Sequence, residues 1–122
     1  MTFNPAKKKV LVVDDEQKLL RVLSIKLKIS GFDVITAPDG QLALELIETE
    51  QPDIMLMDII MPVLDGFQVL EKLRTFSDIP VIALSARTEN AGKAISLGAD
   101  CFVSKPFDVD NLISLVEKTL SK

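Results

Sequence analysis

The chain has 122 residues, with 14 basic and 18 acidic side chains, a formal charge of −4, and no histidine, tryptophan or tyrosine. That excludes histidine-based catalysis and histidine metal ligation, leaves any metal to hard oxygen donors of the kind that suit magnesium, calcium or manganese, and argues against nucleic-acid binding by this domain alone. Cys101 is the only cysteine, so no internal disulfide can form, and no apolar run approaches the ~20 residues of a membrane span; the expectation is a cytoplasmic protein with no membrane partner.

Residues 1–8 read as a flexible lead-in, with Lys7, Lys8 and Lys9 solvated ahead of the first strand. Val10–Val13 is a short solid apolar run that predicts a buried strand. Leu19, Leu20, Leu23 and Leu27 recur at helical spacing, and Gly31 closes that helix. Asp33–Ala37 is a weaker strand candidate; Asp39 then caps a helix carrying Ala43, Leu44 and Ile47. Pro52 separates that helix from a third strand, Ile54–Met57, and Val69, Leu70 and Leu73 mark the third helix. Pro80 precedes a fourth strand, Val81–Leu84, at a place where its missing N–H does little harm. Gly98 stops a fourth helix before the strand Cys101–Val103, and Asp108 caps a last helix with Leu112, Leu115, Val116 and Leu120. Strict alternation of strand and helix implies a single α/β domain over 1–122, a parallel sheet with helices on both faces, in which ligands sit beyond the carboxyl ends of the strands.

Those ends carry chemistry. Asp14, Asp15 and Glu16 follow the first strand, Asp58 the third, Ser85 the fourth and Lys105 the fifth. Alone, Asp14 and Asp15 read as helix caps, Lys105 as an ion-pair partner and Ser85 as an ordinary strand end. Together they read differently. If the first and third strands are neighbours, carboxylates ~4 Å apart repel by about 4 kcal/mol at an effective dielectric of 20. A hard divalent cation, or a proton on one carboxylate, must relieve that. Carboxylate, ammonium, hydroxyl and metal are also the parts phosphoryl transfer recruits, with a carboxylate as nucleophile where cysteine and histidine are missing.

The chain resembles a response-regulator receiver domain from Lys9 to Leu120. The marks are Val12-Val13-Asp14-Asp15-Glu16, then Asp58-Ile59-Ile60-Met61-Pro62 with Asp65-Gly66, then Ser85-Ala86, Gly98-Ala99-Asp100 and Lys105-Pro106-Phe107. The resemblance implies a flavodoxin-like, doubly wound five-stranded sheet of order 2-1-3-4-5 and a cis Lys105–Pro106 bond. It implies Asp58 as phosphoacceptor and Mg2+ (or Mn2+) held by Asp15, Asp58 and the Ile60 backbone carbonyl, with Asp14 acting through water. The resemblance further implies that Lys105 pairs with the acceptor carboxylate and then with the phosphoryl group, while the Ser85 hydroxyl and the Ala86 N–H donate to phosphoryl oxygens. It also implies that Ser85 and Phe102 form a switch that alters the surface of the fourth helix, fifth strand and fifth helix. The partners implied are a sensor histidine kinase or phosphotransfer protein and a downstream output domain or target protein. The chain is not expected to be an enzyme beyond its own phosphotransfer and slow self-dephosphorylation.

Some features depart from that family. Ser85 and Lys105 are twenty residues apart, about two fewer than in most relatives, which shortens Arg87–Gly92 ahead of the fourth helix. Cys101 stands where the winged-helix transcription factors carry an acidic residue, and the last helix lacks their arginines, so their dimer charge network is not expected. Ile60 and Arg87, which lie where the family tunes phosphoryl lifetime, cannot act as a general base, so fast self-dephosphorylation is not expected. Three other readings stand beside the switch. A small aspartyl-phosphate-forming phosphatase needs an acid where Ile60 stands. A nucleotide-binding module needs a glycine-rich turn where Asp14-Asp15-Glu16 stands. A degenerate receiver would act as a phosphorylation-independent binding module, although every acceptor-site residue is present.

Overall fold

The computed structural model describes residues 7–121, so most of the expected lead-in lies outside the described residues. Lys7 and Lys8 are exposed, and the Lys7 ammonium lies 3.5 Å from Asp33 Oδ1.

Strand and helix alternate without exception: β1 (Lys9–Val13), α1 (Gln17–Ile29), β2 (Asp33–Ala37), α2 (Gly40–Glu50), β3 (Ile54–Asp58), α3 (Gly66–Leu73), β4 (Val81–Ser85), α4 (Asn90–Ser96), β5 (Cys101–Ser104) and α5 (Val109–Leu120). All four strand pairings are parallel, in the order β2-β1-β3-β4-β5. A parallel pair cannot be closed by a tight turn, so each of β1 to β4 is joined to the next strand by a helical crossover.

The solid apolar runs follow from the pleat, because alternate side chains point to opposite faces. Leu11, Val13, Met55, Met57, Val81 and Ala83 face one core, closed by Ala43 and Ile47 of α2, Val69, Leu70 and Leu73 of α3, and Ala94 of α4. Val10, Val12, Ile54, Leu56, Ile82 and Leu84 face the other, closed by Leu20, Leu23 and Leu27 of α1 and by Leu112, Ile113 and Val116 of α5. With a helical layer on each face, both sets must be apolar, and each fully buried branched side chain contributes roughly 1.5–3 kcal/mol.

Burial on both faces holds for β1, β3 and β4 but not for the two outer strands. β2 and β5 are only partly buried, because each pairs on one side and has an open edge on the other.

The predicted stops and caps have clear causes. Asp39 accepts from the Leu42 N–H and Asp108 from the Asn111 N–H, satisfying donors that a helix start leaves unpaired. Asp65 and Gln68 form a reciprocal capping box at α3. Gly98 has φ +112°, a left-handed conformation that ends α4. At Gly66 a Cβ atom would sit 2.7 Å from Ile59 Cα and 2.9 Å from the Asp58 carbonyl oxygen, so only glycine lets α3 start this close to the end of β3. The Gly66 N–H donates to the Ile59 carbonyl at 2.7 Å and fixes that approach.

Candidate functional site at the strand ends

β1 leads to β2 on one side and, through that excursion, to β3 on the other, so the chain reverses direction across the sheet between β1 and β3. The loops diverge there and leave a crevice at the carboxyl ends. Asp14 and Asp15 arrive from β1, Asp58 is the last residue of β3, and Lys105 follows β5. One carboxylate oxygen from each of Asp14, Asp15 and Asp58 lies within 4.8 Å of the others.

Asp14 is 1% exposed, and each of its oxygens is occupied. Oδ1 accepts from the Glu16 N–H at 2.9 Å, and Oδ2 accepts from the Lys105 ammonium at 2.7 Å. Its backbone N–H continues the ladder to the Ala37 carbonyl, which locks the residue to the sheet. Asp14 and Asp15 are not the caps of α1: that position is Glu16, and no side chain closes the helix start. Asp15 is exposed and opens the cluster to solvent. Asp58 is 6% exposed, its Oδ1 accepting from the Ile60 N–H at 3.3 Å and its Oδ2 lying 3.4 Å from the Lys105 ammonium. Lys105 thus bridges two acidic side chains and sits closer to Asp14 than to Asp58.

The electrostatics match this crowding. Burial, and then the charge of Asp14, push the Asp58 carboxyl above its ordinary range, while Lys105 and the Ile60 N–H pull the other way without cancelling the rise. Burial presses the Lys105 ammonium down, but its hydrogen bond and charge interaction with Asp14, joined by Asp58, outweigh that and raise it. A cluster in which three carboxylates face one ammonium still carries excess negative charge. The donor set is entirely oxygen, with one carboxylate open to solvent, and this fits a hard divalent cation.

Ser85 ends β4, fully buried, and its Oγ accepts from the Arg87 N–H at 3.1 Å and from Asn90 Nδ2 at 3.2 Å. Its carbonyl accepts from the Lys105 N–H at 2.9 Å, which carries the sheet ladder to the next strand end. Ala86 is exposed beside it, and Ile60 is 51% exposed on the loop after β3. Phe102 is half-buried and packs on the α2–α3–α4 core, in register with Ala83 of β4. The Lys105–Pro106 bond is cis, as the resemblance implied. Asn90 was not a candidate from the sequence. Its only signal there is a five-residue distance from Ser85, and an asparagine opening a helix ordinarily serves the backbone.

Comparison with known proteins agrees with this geometry. The family model described as the response regulator receiver domain matches residues 10–117. Over 118 residues the chain is 42% identical to a probable transcriptional regulator, ycf27, of Cyanophora paradoxa, covering 95% of this chain and 49% of that protein. It is 41% identical over 118 residues to the alkaline phosphatase synthesis transcriptional regulatory protein PhoP of Bacillus subtilis, again over 49% of that protein. The chain therefore spans about half the length of these curated relatives. Among solved structures, the receiver domain of Francisella response regulator 1452 superposes with a TM-score of 0.89 at 39% identity, covering 94% of this chain and 98% of that one. The chemotaxis response regulator CheY4 of Vibrio cholerae gives 0.85 at 29% identity, covering 93% and 98%. With the sheet order, the acidic crevice and the family match in agreement, this chain belongs to the response regulator receiver family and is a receiver domain of two-component signalling.

Proposed function

We propose that Asp58 is the phosphoacceptor and that the surrounding residues are its phosphotransfer machinery. The observation that carries this reading is the meeting of Asp14, Asp15, Asp58 and Lys105 in one crevice. A carboxylate oxygen of Asp58 attacks phosphorus, and the P–N bond to a histidine of a sensor kinase or phosphotransfer protein breaks. The imidazole leaves and takes up a proton from solvent, and an aspartyl phosphate remains. The attacking form of Asp58 is the anion, which burial and Asp14 disfavour and which Lys105 favours. Lys105 then moves its charge from carboxylate to phosphoryl group, and the Ser85 hydroxyl and Ala86 N–H donate to phosphoryl oxygens.

Asp15, Asp58 and the Ile60 carbonyl would hold magnesium or manganese, with Asp14 reaching it through water. When bound, the ion neutralises charge on the carboxylates and on the transferred group. Ile60 stands where a phosphatase of this chemistry needs an acid, and neither Ile60 nor Arg87 can take a proton from attacking water. The domain therefore forms and slowly loses its own phosphoryl group without turning over a substrate. Residues 7–121 act as one switching unit, with Ser85 and Phe102 relaying the change to the α4–β5–α5 surface. That surface meets an output domain or separate target; the curated relatives named above are about twice as long and are called transcriptional regulators.

The experiment is labelling by acetyl phosphate with magnesium. One phosphoryl group per chain, carried on Asp58 and missing from Asp58→Asn, is the expected result; full labelling of Asp58→Asn refutes the assignment.

A further inference from the structure

Ser85 has more partners than its proposed role needs. A hydroxyl carries two lone pairs and one proton. In this structure both lone pairs are engaged by N–H donors, the Arg87 backbone at 3.1 Å and the Asn90 side chain at 3.2 Å. The residue is fully buried, so water does not compete for those positions. With both acceptor sites taken, the only function left to the oxygen is to donate its proton.

The short connection after β4 builds this arrangement. The Asn90 N–H donates to the Arg87 carbonyl and the Ala91 N–H to the Thr88 carbonyl, each at 3.1 Å, so the chain turns directly into α4. Asn90 is the first residue of α4, five residues beyond Ser85, and the tight turn swings its amide back onto the hydroxyl. It is half-buried in the wall of a cavity of about 320 Å³ that also includes Ile60, Asp65, Phe67 and Arg87, beside the acidic crevice.

We infer that Asn90 is a positioning residue: its amide donates to Ser85 Oγ and thereby fixes that hydroxyl as a hydrogen-bond donor to the anion formed at Asp58. This rests on the reading of Ser85 as a phosphoryl ligand and extends it to a residue that never touches the phosphoryl group. Without the amide, the oxygen has a free lone pair and the proton is free to turn elsewhere. With an acceptor in its place, the proton is drawn away from the phosphoryl group.

The test is a double-mutant cycle on the full chain, read as the initial rate of Asp58 labelling by acetyl phosphate with magnesium. Asn90→Ala is expected to slow labelling about fivefold, the value of one ordinary hydrogen bond. Ser85→Ala should slow it at least as much, and the double variant no more than Ser85→Ala, because Asn90 acts only through that hydroxyl. Asn90→Asp, nearly isosteric but lacking the donor, should be slower than Asn90→Ala. The magnesium concentration that half-maximally raises the melting temperature should be unchanged in Asn90→Ala, since Asn90 lies outside the carboxylate cluster. Wild-type labelling rates in Asn90→Ala and Asn90→Asp, faster labelling in either, or losses that multiply in the double variant overturn the inference alone. No labelling of the wild-type chain overturns the phosphoacceptor reading and the inference with it.

Discussion

The centre of the sheet and the β5–α4 side of the molecule are built to different standards. β1 and β3 are paired on both sides, and Val10 to Val13 and Ile54 to Met57 are all 0% exposed. Across β4 the structure loosens: β5 is an edge strand of partly buried residues, and α4 has seven residues, no side-chain cap and one buried residue, Ala94. The centre, which presents Asp14 and Asp58, must hold like charges together against repulsion of about 3–4 kcal/mol at this spacing, and only a stiff frame does so without relaxing apart. Helix α4, which contacts Ser85 through Asn90, buries little apolar area and is the cheaper element to rearrange. Rigid chemistry beside a soft responder is what a switch requires: a local charge event, and an element whose equilibrium that event can bias.

The largest test of this contrast compares one kind of truncation in the two regions. Leu56→Ala in β3, where the side chain is 0% exposed, should cost about 3 kcal/mol in denaturant unfolding. Ile95→Ala on α4, 47% exposed, should change stability by no more than about 0.5 kcal/mol. Equal losses would erase the distinction. Lys105→Met leaves Asp14 almost fully buried without its counter-charge and should cost about 3 kcal/mol in chelator near neutral pH. Because the fold raises the Lys105 pKa above 10.5, its contribution is present below that value and is lost as pH rises through the folded value. The wild-type chain should therefore show an alkaline loss of stability that Lys105→Met lacks. The smallest effect concerns the loop after β3, where Val63 holds φ +69° and is 92% exposed. A β-branched residue is strained there and asparagine is not, so Val63→Asn should raise stability by about 1 kcal/mol or less, seen as a small rise in Tm.

Most of this design was legible in the sequence because its signals are local. Solid apolar runs, helical periodicity, the stops at Gly31 and Gly98 and the cap at Asp108 reported element type and order, and every predicted strand fell within one residue of its observed limits. The convergence of Asp14, Asp15, Asp58 and Lys105 was legible because a parallel α/β sheet brings strand ends together. Pairing was not. Nothing in the residues of β2 or β5 alone says that either stands at an edge, since edge position is fixed by which strands come to lie beside it. Nor does spacing reveal that Lys105 lies nearer Asp14 than Asp58, or that Asn90 reaches Ser85. Those contacts depend on the turn Arg87–Glu89 and on side-chain reach, which a one-dimensional pattern does not carry.

The central claim is that carboxylates from two strands share one crevice and that a hard cation makes their crowding tolerable. Thermal unfolding of wild-type and Asp58→Asn chains, in chelator and in magnesium, tests it most directly. The fold raises the Asp58 pKa above 3.8, so ionising this group lowers stability as pH rises from 3.8 through the folded value. Asp58→Asn should therefore be the more stable protein in chelator at pH 7, with the gain shrinking as pH falls and wild-type Asp58 takes up a proton. Magnesium at a hundredfold excess over its dissociation constant should stabilise the wild type by about 2.7 kcal/mol and Asp58→Asn by much less. A lower melting temperature for Asp58→Asn in chelator, together with an equal response of both proteins to magnesium, would contradict the account.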